Sequence, residues 1–471
     1  MVSKSKRVVA LLLTAMMAAG ALAGCGQSTT QPSQAQPSTT SQASSEGSTT
    51  TEPSSAEASK VDAVDLEAPE IIQRIKDKMA EEAAATDGVI KMVLWCSSDD
   101  KSFEEGLMKE FQEKYADSRY TFKIKPQSVG EDKAGSKILE GPKDGADVFN
   151  FADDQLSSLV EAGAIASVAD LFNNNVKNEN SLNAVEVCSV KGVSYAFPKT
   201  SDNGYFMYYD KRIFSEEDVQ NMDTMVEKAK AAGKSVFLPI ANAWYNAGFF
   251  FAAGCTIKYE DGVQTATFGT PEGLKAVKAM CHLAENVGTG FEGDAGSAGE
   301  NAYIAQGFND GKLAAAVTGT WEGPAIKDAI GAENVGAAKL PTVLMDGEQV
   351  QLHSFGGYKL IGVNAYSAYP ITAQALAYYL GKGESQIRRY QVRGLIPTAT
   401  AALEVEEIKN DVARMAIDAQ APYSHAQGQS VAGKYWGAGV GGYGGDILNA
   451  KGQLTDDKIM EDLKKIEAKM Q

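Results

Sequence analysis

Hydrophobic and polar positions change rhythm twice along this 471-residue chain. Val8 to Ala23 is an apolar stretch without a charge, behind Lys4, Lys6 and Arg7. It is short for a spanning helix, which needs ~20 residues, and reads as the core of a secretory signal. Residues 26–60 then contain no aromatic residue and no Val, Ile, Leu or Met, and 17 of these 35 are Ser or Thr. Such a segment buries too little apolar surface to offset its ordering entropy. As a coil it reaches roughly 30–35 Å.

From Val61 onward the pattern alternates between helical and strand periods. In "EAPEIIQRIKDKMAEEAAA" (67–85), Pro69 opens a helix with Ile71, Ile75 and Met79 on one stripe. Strands are predicted over 89–95, 120–126, 146–152, 235–240, 312–319 and 358–364. Between the first two, Ser102 and Glu105 read as a capping box, and Phe103, Leu107, Phe111 and Tyr115 recur every four residues. Leu156, Leu159 and Val160 form a helix face that Gly163 ends. Thr270 and Pro271 open a helix over 270–286. Strand and helix alternating in this way imply α/β layers with substantially parallel sheets. The most apolar later stretch, 245–255, is too short to span a bilayer.

Charge and cysteine usage narrow the partners. With 44 basic and 61 acidic residues the chain carries a net charge of −17, which argues against nucleic acid or anionic lipid as main partner. Cys96, Cys188, Cys255 and Cys281 form no C-x-x-C pair and have largely apolar neighbours, so they read as buried free thiols. His282, His353 and His425 are far apart and lack metal-ligand spacing. No metal and no cofactor is expected.

In open α/β sheets, ligands bind beyond the carboxyl ends of the strands. After the predicted strands come Asp99, Asp100 and Lys101; Asp153 and Asp154, with Phe151 at the strand end; Trp244 and Tyr245; and Trp321 and Glu322. A single Asp at such a junction is ordinarily a helix cap. Together these residues suggest a cleft lined with flat apolar faces and acceptors. A sugar ring offers a C–H face to the first and hydroxyls to the second, each charged hydrogen bond contributing about 1.5–3 kcal/mol. Phosphate or sulfate calls instead for Arg or helix amides. The G-x-G-x-x-G match at Gly437, Gly439 and Gly442 follows "KYW" near the end of the chain, not the first strand of a βαβ unit. A nucleophile elbow is missing, since "GQSVAG" (428–433) fails at its fifth position. A glycosidase also lines its cleft with aromatics and carboxylates, but the adjacent Asp153 and Asp154 are poorly placed to flank one bond.

"GADVFNFADDQLSSLVEAGAI" (145–165) resembles the extracellular solute-binding proteins of ABC importers, the group typified by maltose-binding protein. "YAFPKTSDNGYFMYYDKRIF" (195–214), "FNDGKLAAAVTGTWEGPAI" (308–326), "SFGGYKLIGVN" (354–364) and "RRYQVRGLIPT" (388–398) match in the same order. Leu22-Ala23-Gly24-Cys25 resembles the lipobox of bacterial lipoproteins, in which the cysteine takes a lipid and becomes the first residue. The resemblance implies an α/β fold of two lobes of the periplasmic-binding-protein kind (type II), each a sheet flanked by helices, joined by a hinge of several crossings. The chain then divides into a signal peptide (1–24), a lipidated Cys25 with its tether (25–66) and an N-terminal helix (67–87). Lobe 1 is 88–201 plus 354–396, and lobe 2 is 202–353 plus 397–471. Crossings fall near Asp202–Asn203, His353 and Pro397. By segment matching, Phe151 stacks on sugar and Asp154 takes hydroxyls. Asp202 and Asn203 lie at a hinge contact, and Tyr245 and Trp321 at aromatic positions of the second lobe. Tyr435 and Trp436, in the glycine-rich stretch 433–445, lie where a late tryptophan stacks.

The expected protein is a monomeric substrate-binding lipoprotein, held to the outside of the cell membrane through Cys25. It delivers a maltodextrin-like carbohydrate to the permease subunits of an ABC transporter and does no chemistry. Glycerol phosphate and polyamines are the alternative solutes. Cys25→Ser is expected to release the protein into the medium or leave it unprocessed, and unchanged partitioning into a detergent phase would contradict the anchor.

Overall fold

The strands assemble into two five-stranded sheets built on one plan. A computed structural model describes residues 61–260 and 262–470; the signal, Cys25 and the tether to residue 60 lie outside these. In the first sheet the order is Thr121–Ser128, Val89–Cys96, Val148–Ala152, Lys359–Val363, Ala196–Thr200. The first three strands run parallel, and Lys359–Val363 is antiparallel to both its neighbours. In the second the order is Phe291–Glu292, Ser235–Phe237, Leu313–Thr318, Phe206–Asp210, Val335–Ala338. Here too three parallel strands are followed by one, Phe206–Asp210, antiparallel to both its neighbours.

The central strands are covered on both faces, so they read as continuous apolar runs. In the first lobe Leu94, Val148 and Ile361 pack on one side and Phe149, Phe151 and Leu360 on the other. In the second, Met207, Val236 and Val317 oppose Phe206, Phe237 and Ala316. Helix Pro69–Ala84 belongs to the first core, inserting Ile75, Met79 and Ala83.

Two crossings, at residues 201–203 and just before Lys359, bond to each other, and the first also bonds to residues 396–397. Ser201 Oγ donates to the carbonyl of Pro397 (3.0 Å), and Asn203 N donates to the carbonyl of Gly357 (3.2 Å). Asp202 Oδ2 accepts from Ile396 N (2.9 Å) and from the hydroxyl of Thr320.

Three expectations need correction. The ordered chain starts before residue 66: Asn178, Asn174 and Asn175 bond to the backbone of Val61, Asp62 and Val64, and Leu66 is buried in the first core. Residues past Pro397 stay with the first lobe, where Thr398 and Ala399 bond to Asn180 and Gln386. The third crossing therefore comes later, before helix Val412–Gln420 packs on the second sheet. Ser102 is no cap, because helix Lys101–Lys114 starts one residue before it.

That helix start exposes the main electrostatic feature of the first lobe. Lys199, fully buried, places its ammonium 2.7 Å from Asp100, 2.8 Å from Glu131 and 3.2 Å from Glu104. Arg389, also fully buried, adds contacts to Asp100 (3.7 Å) and Glu104 (3.5 Å), and Asn150 donates to Glu104 (2.9 Å). Burial pushes the Asp100 pKa up, but Lys199, Arg389 and Arg393 outweigh it and hold the carboxyl well below its usual range. Burial likewise opposes the charge on Lys199, and the three carboxylates overcome it and raise its pKa. Removing one partner from such a group leaves uncompensated buried charge, a cost of about 3–5 kcal/mol. Lys199→Met should lower unfolding free energy by about that much in urea titration at pH 7. Asp100 and Glu131 are ionised in the native fold through pKa values held low. The deficit should therefore shrink as pH falls through the ordinary carboxylate range, where protonation removes the repulsion.

Candidate binding cleft

Both sheets turn strand ends toward the same gap. From the first lobe come Asp99 and Asp100 after Cys96, Asp153 and Asp154 after Ala152, and Lys359, which opens the antiparallel strand beside Ala152. From the second come Trp244, at the start of helix Ala243–Ala252, and Trp321 and Glu322 after Thr318. The lobes meet here: the Lys359 ammonium stands 4.7 Å from the centre of the Trp321 ring, within the range of a cation–π contact.

Trp244 is held by its neighbours. Asn242 caps its helix by accepting from Trp244 N (2.8 Å), and Tyr205 donates to the Trp244 carbonyl (3.0 Å). Its indole meets Tyr205 edge-on at 4.7 Å and Trp321 at 5.9 Å, and its Nε1 donates to Gln427 Oε1 at 2.7 Å. The glycine-rich stretch is helical over Gly433–Gly437 and from Val440, in helix Val440–Asn449. A Cβ at Gly444 would stand 1.8 Å from the carbonyl oxygen of Ile240, and one at Gly441 2.9 Å from that of Ala241. These glycines let a helix lie against the backbone leading into Trp244.

Of the residues singled out from sequence, Asp154, Trp244, Trp321 and Trp436 keep exposed surface, while Asn203 and Glu322 are buried. Asp154 and Trp321 are partly buried, and Trp436 is 38% exposed. Lys101 is partly buried on the first turn of its helix and makes no ion pair among the described residues. Five others are built into the structure. Asp100 is consumed by Lys199 and the arginines. Phe151 has no exposed surface and packs on Phe149 at 5.3 Å, because its strand is covered on both faces. Asp202 is a buried tie at the first crossing, bonded to Ile396 on one side and Thr320 on the other. Tyr245 is wedged against Tyr205 and Trp244, each 4.9 Å away. Tyr435 is fully buried and donates to the carbonyl of Ala243 (2.8 Å). Sequence reading missed Gln427, Lys359 and Arg393. A lysine opening the apolar strand "KLIGV" was a usable signal; Gln427 offers none, since its partners are remote in sequence.

The carboxylates are short of cations. Burial, with the neighbouring charge of Asp154, raises Asp153 to about 8. Burial raises Asp154 to about 7, only partly offset by hydrogen bonds from the side chains of Gln427 and Trp436. Burial raises Glu322 to about 7, with Asp99 adding to the shift and Arg393 opposing it. Oδ1 of both Asp153 and Asp154 is buried and accepts no hydrogen bond among the described residues. The region thus combines indole rings with two buried carboxylate oxygens that have no donor among the described residues.

Comparison with known proteins is consistent with this architecture. Residues 106–416 match the family model of bacterial extracellular solute-binding proteins. The maltotriose-binding protein of Pyrococcus abyssi (strain GE5 / Orsay) is 24% identical over 329 residues, covering 68% of this chain and 69% of that protein. The maltooligosaccharide ABC transporter solute-binding lipoprotein of Streptococcus pneumoniae (strain ATCC BAA-255 / R6) is 25% identical over 355 residues, covering 72% and 79%. A solved structure described as being with acarbose is 30% identical and superposes with a TM-score of 0.71, covering 81% of this chain and 99% of that one. With the model match extending over well more than half its length, this chain belongs to the bacterial extracellular solute-binding protein family.

Proposed function

We propose that this protein captures a maltooligosaccharide-type carbohydrate between its lobes and presents it to the permease of an ABC importer, held to the outer face of the membrane by a lipid on Cys25. The observation that carries the reading is the pairing of Trp244, Trp321 and Trp436 with Asp153 and Asp154, each of which keeps one buried oxygen without a donor among the described residues. Indole faces suit the C–H faces of pyranose rings, and hydroxyls are donors of the kind that Oδ1 of Asp153 and Asp154 lacks. The relatives named for maltotriose and maltooligosaccharides, one of them a lipoprotein of an ABC transporter, support the same solute class and setting. A ligand touching both lobes stabilises the form in which they adjoin, and this is the form the permease reads. No bond is broken: Asp153 and Asp154 share one turn and do not flank a glycosidic oxygen from two sides.

Two measurements test the reading. Trp321→Ala should weaken maltotriose binding by about thirtyfold or more in calorimetric titration, the loss of 2 kcal/mol typical of a central aromatic contact. Its melting temperature should fall little, since Trp321 is only partly buried. A large fall in melting temperature with unchanged affinity would assign Trp321 to packing instead.

The second measurement is a pH series. Carboxylates with raised pKa hold protons in the folded chain that the unfolded chain has released. The sugar-free protein should therefore lose stability as pH rises from about 4 to about 8. Hydroxyl donors favour the ionised acceptor, so sugar binding should expel protons and tighten over the same window. Calorimetry in buffers of different ionisation enthalpy reads this proton release directly, and affinity that is flat from pH 5 to 8 would remove these carboxylates from the site.

A further inference from the structure

Lys359 is 8% exposed and belongs to the first lobe, where its strand pairs it with Ala152 on one side and Thr200 on the other. Trp321 belongs to the second lobe, on the turn Thr320–Glu322 that follows strand Leu313–Thr318. One side of the Trp321 ring is already covered by its own lobe. A Cβ at Gly319 would stand 2.0, 2.2 and 2.5 Å from three neighbouring atoms of the six-membered ring, so the glycine backbone lies against its face. The first lobe brings the Lys359 ammonium over the same indole, 4.7 Å from the ring centre. Apolar groups in contact bring their heavy atoms to about 4.0–4.5 Å. The ammonium therefore stands where the atoms of a ring stacked on this indole would stand, and a pyranose and Lys359 compete for one face. The ammonium has a second place to go. Glu131 Oε2 lies 3.9 Å away, beyond hydrogen-bond reach, while Glu131 Oε1 is engaged by Lys199 at 2.8 Å. The contact with Trp321 crosses between the lobes, whereas the pair with Glu131 lies within the first lobe and survives when the lobes part.

We propose that Lys359 is a built-in competitor for the Trp321 face: without solute its ammonium latches the lobes together, and a bound pyranose displaces it toward Glu131. This deepens the capture reading given above and rests on it. The contact is made in the free protein and lost in the bound one, so it weakens apparent affinity and sets the concentration at which solute is captured. Removing it favours the bound form and, in the absence of solute, lets the lobes part.

The test compares the full chain with Lys359→Ala, which removes the competitor, and Lys359→Arg, which restores a cation. Calorimetry should show Lys359→Ala binding maltotriose about three- to tenfold more tightly, the range of a partly desolvated cation–π contact, and Lys359→Arg should lose this gain. Small-angle scattering of sugar-free protein should give a larger radius of gyration for Lys359→Ala than for the parent. Weaker binding by Lys359→Ala makes Lys359 a donor to the bound sugar and overturns the competition, as does equal binding. A radius equal to the parent overturns the latch. If Lys359→Ala does not fold, crystal structures of the parent with and without maltotriose decide. A Lys359 ammonium still within about 6 Å of the Trp321 ring centre beside the bound sugar then overturns the proposal. A parent protein that binds no maltotriose refutes the assigned solute, while the scattering comparison still decides whether Lys359 latches the lobes.

Discussion

Lys199 is the residue on which the first lobe depends. Its ammonium donates to Glu131 and lies within ion-pair distance of the buried carboxylates of Asp100 and Glu104. Those acids come from two helices and from the residue leading into the first, while Lys199 lies on Ala196–Thr200, the strand at the edge of the sheet. The same point charge therefore fixes helices Lys101–Lys114 and Glu131–Glu140 against the strand ends that border the gap. It also explains why Asp100 cannot serve a ligand: its charge is already taken up inside the lobe.

The charge spreads from this centre toward the cleft. Arg393 bonds to Asp100 at 3.1 Å and reaches Asp99 at 3.7 Å, and its field extends to Glu322 on the other lobe. Lys359 ends 3.9 Å from Glu131 with its ammonium over Trp321. Beyond these two cations the balance reverses, and Asp153, Asp154 and Glu322 remain short of partners. Such an arrangement separates two tasks. Compensated charge makes a rigid floor, and uncompensated acceptors at its edge stay available for donors that arrive with a solute.

The second lobe solves the placement problem by close backbone approach instead of charge. Glycines at 441 and 444 bring helix Val440–Asn449 onto the segment that turns into Trp244, and Asn246 reinforces the contact by donating to the carbonyls of Ile240 and Val440. Any side chain at Gly444 would collide with the Ile240 carbonyl. The glycines of this stretch are thus a packing requirement, which shows why glycine content alone is a poor guide to local structure.

Much of this protein was readable from local pattern. Strands covered on both faces appear as apolar runs, helices as stripes such as Ile71, Ile75 and Met79, and turns through residues such as Gly163, whose positive φ ends its helix. These depend on neighbours within a few positions, which is why the alternation of elements follows from the order of residues, while the two-lobed fold was implied by the resemblance to a family. Strand-end logic likewise brought Asp154, Trp244, Trp321 and Glu322 to one region. Which of the strand-end residues stay open to a ligand was decided by tertiary structure alone. Phe151 and Tyr435 became core, Asp100 and Asp202 became internal ties, and Gln427, with partners 183 and 224 residues away, became the acceptor shared by Trp244 and Asn203. The physical reason is that burial and charge compensation are set by groups remote in sequence. A carboxylate or an aromatic ring carries no local mark of whether a lysine or a helix will arrive to cover it.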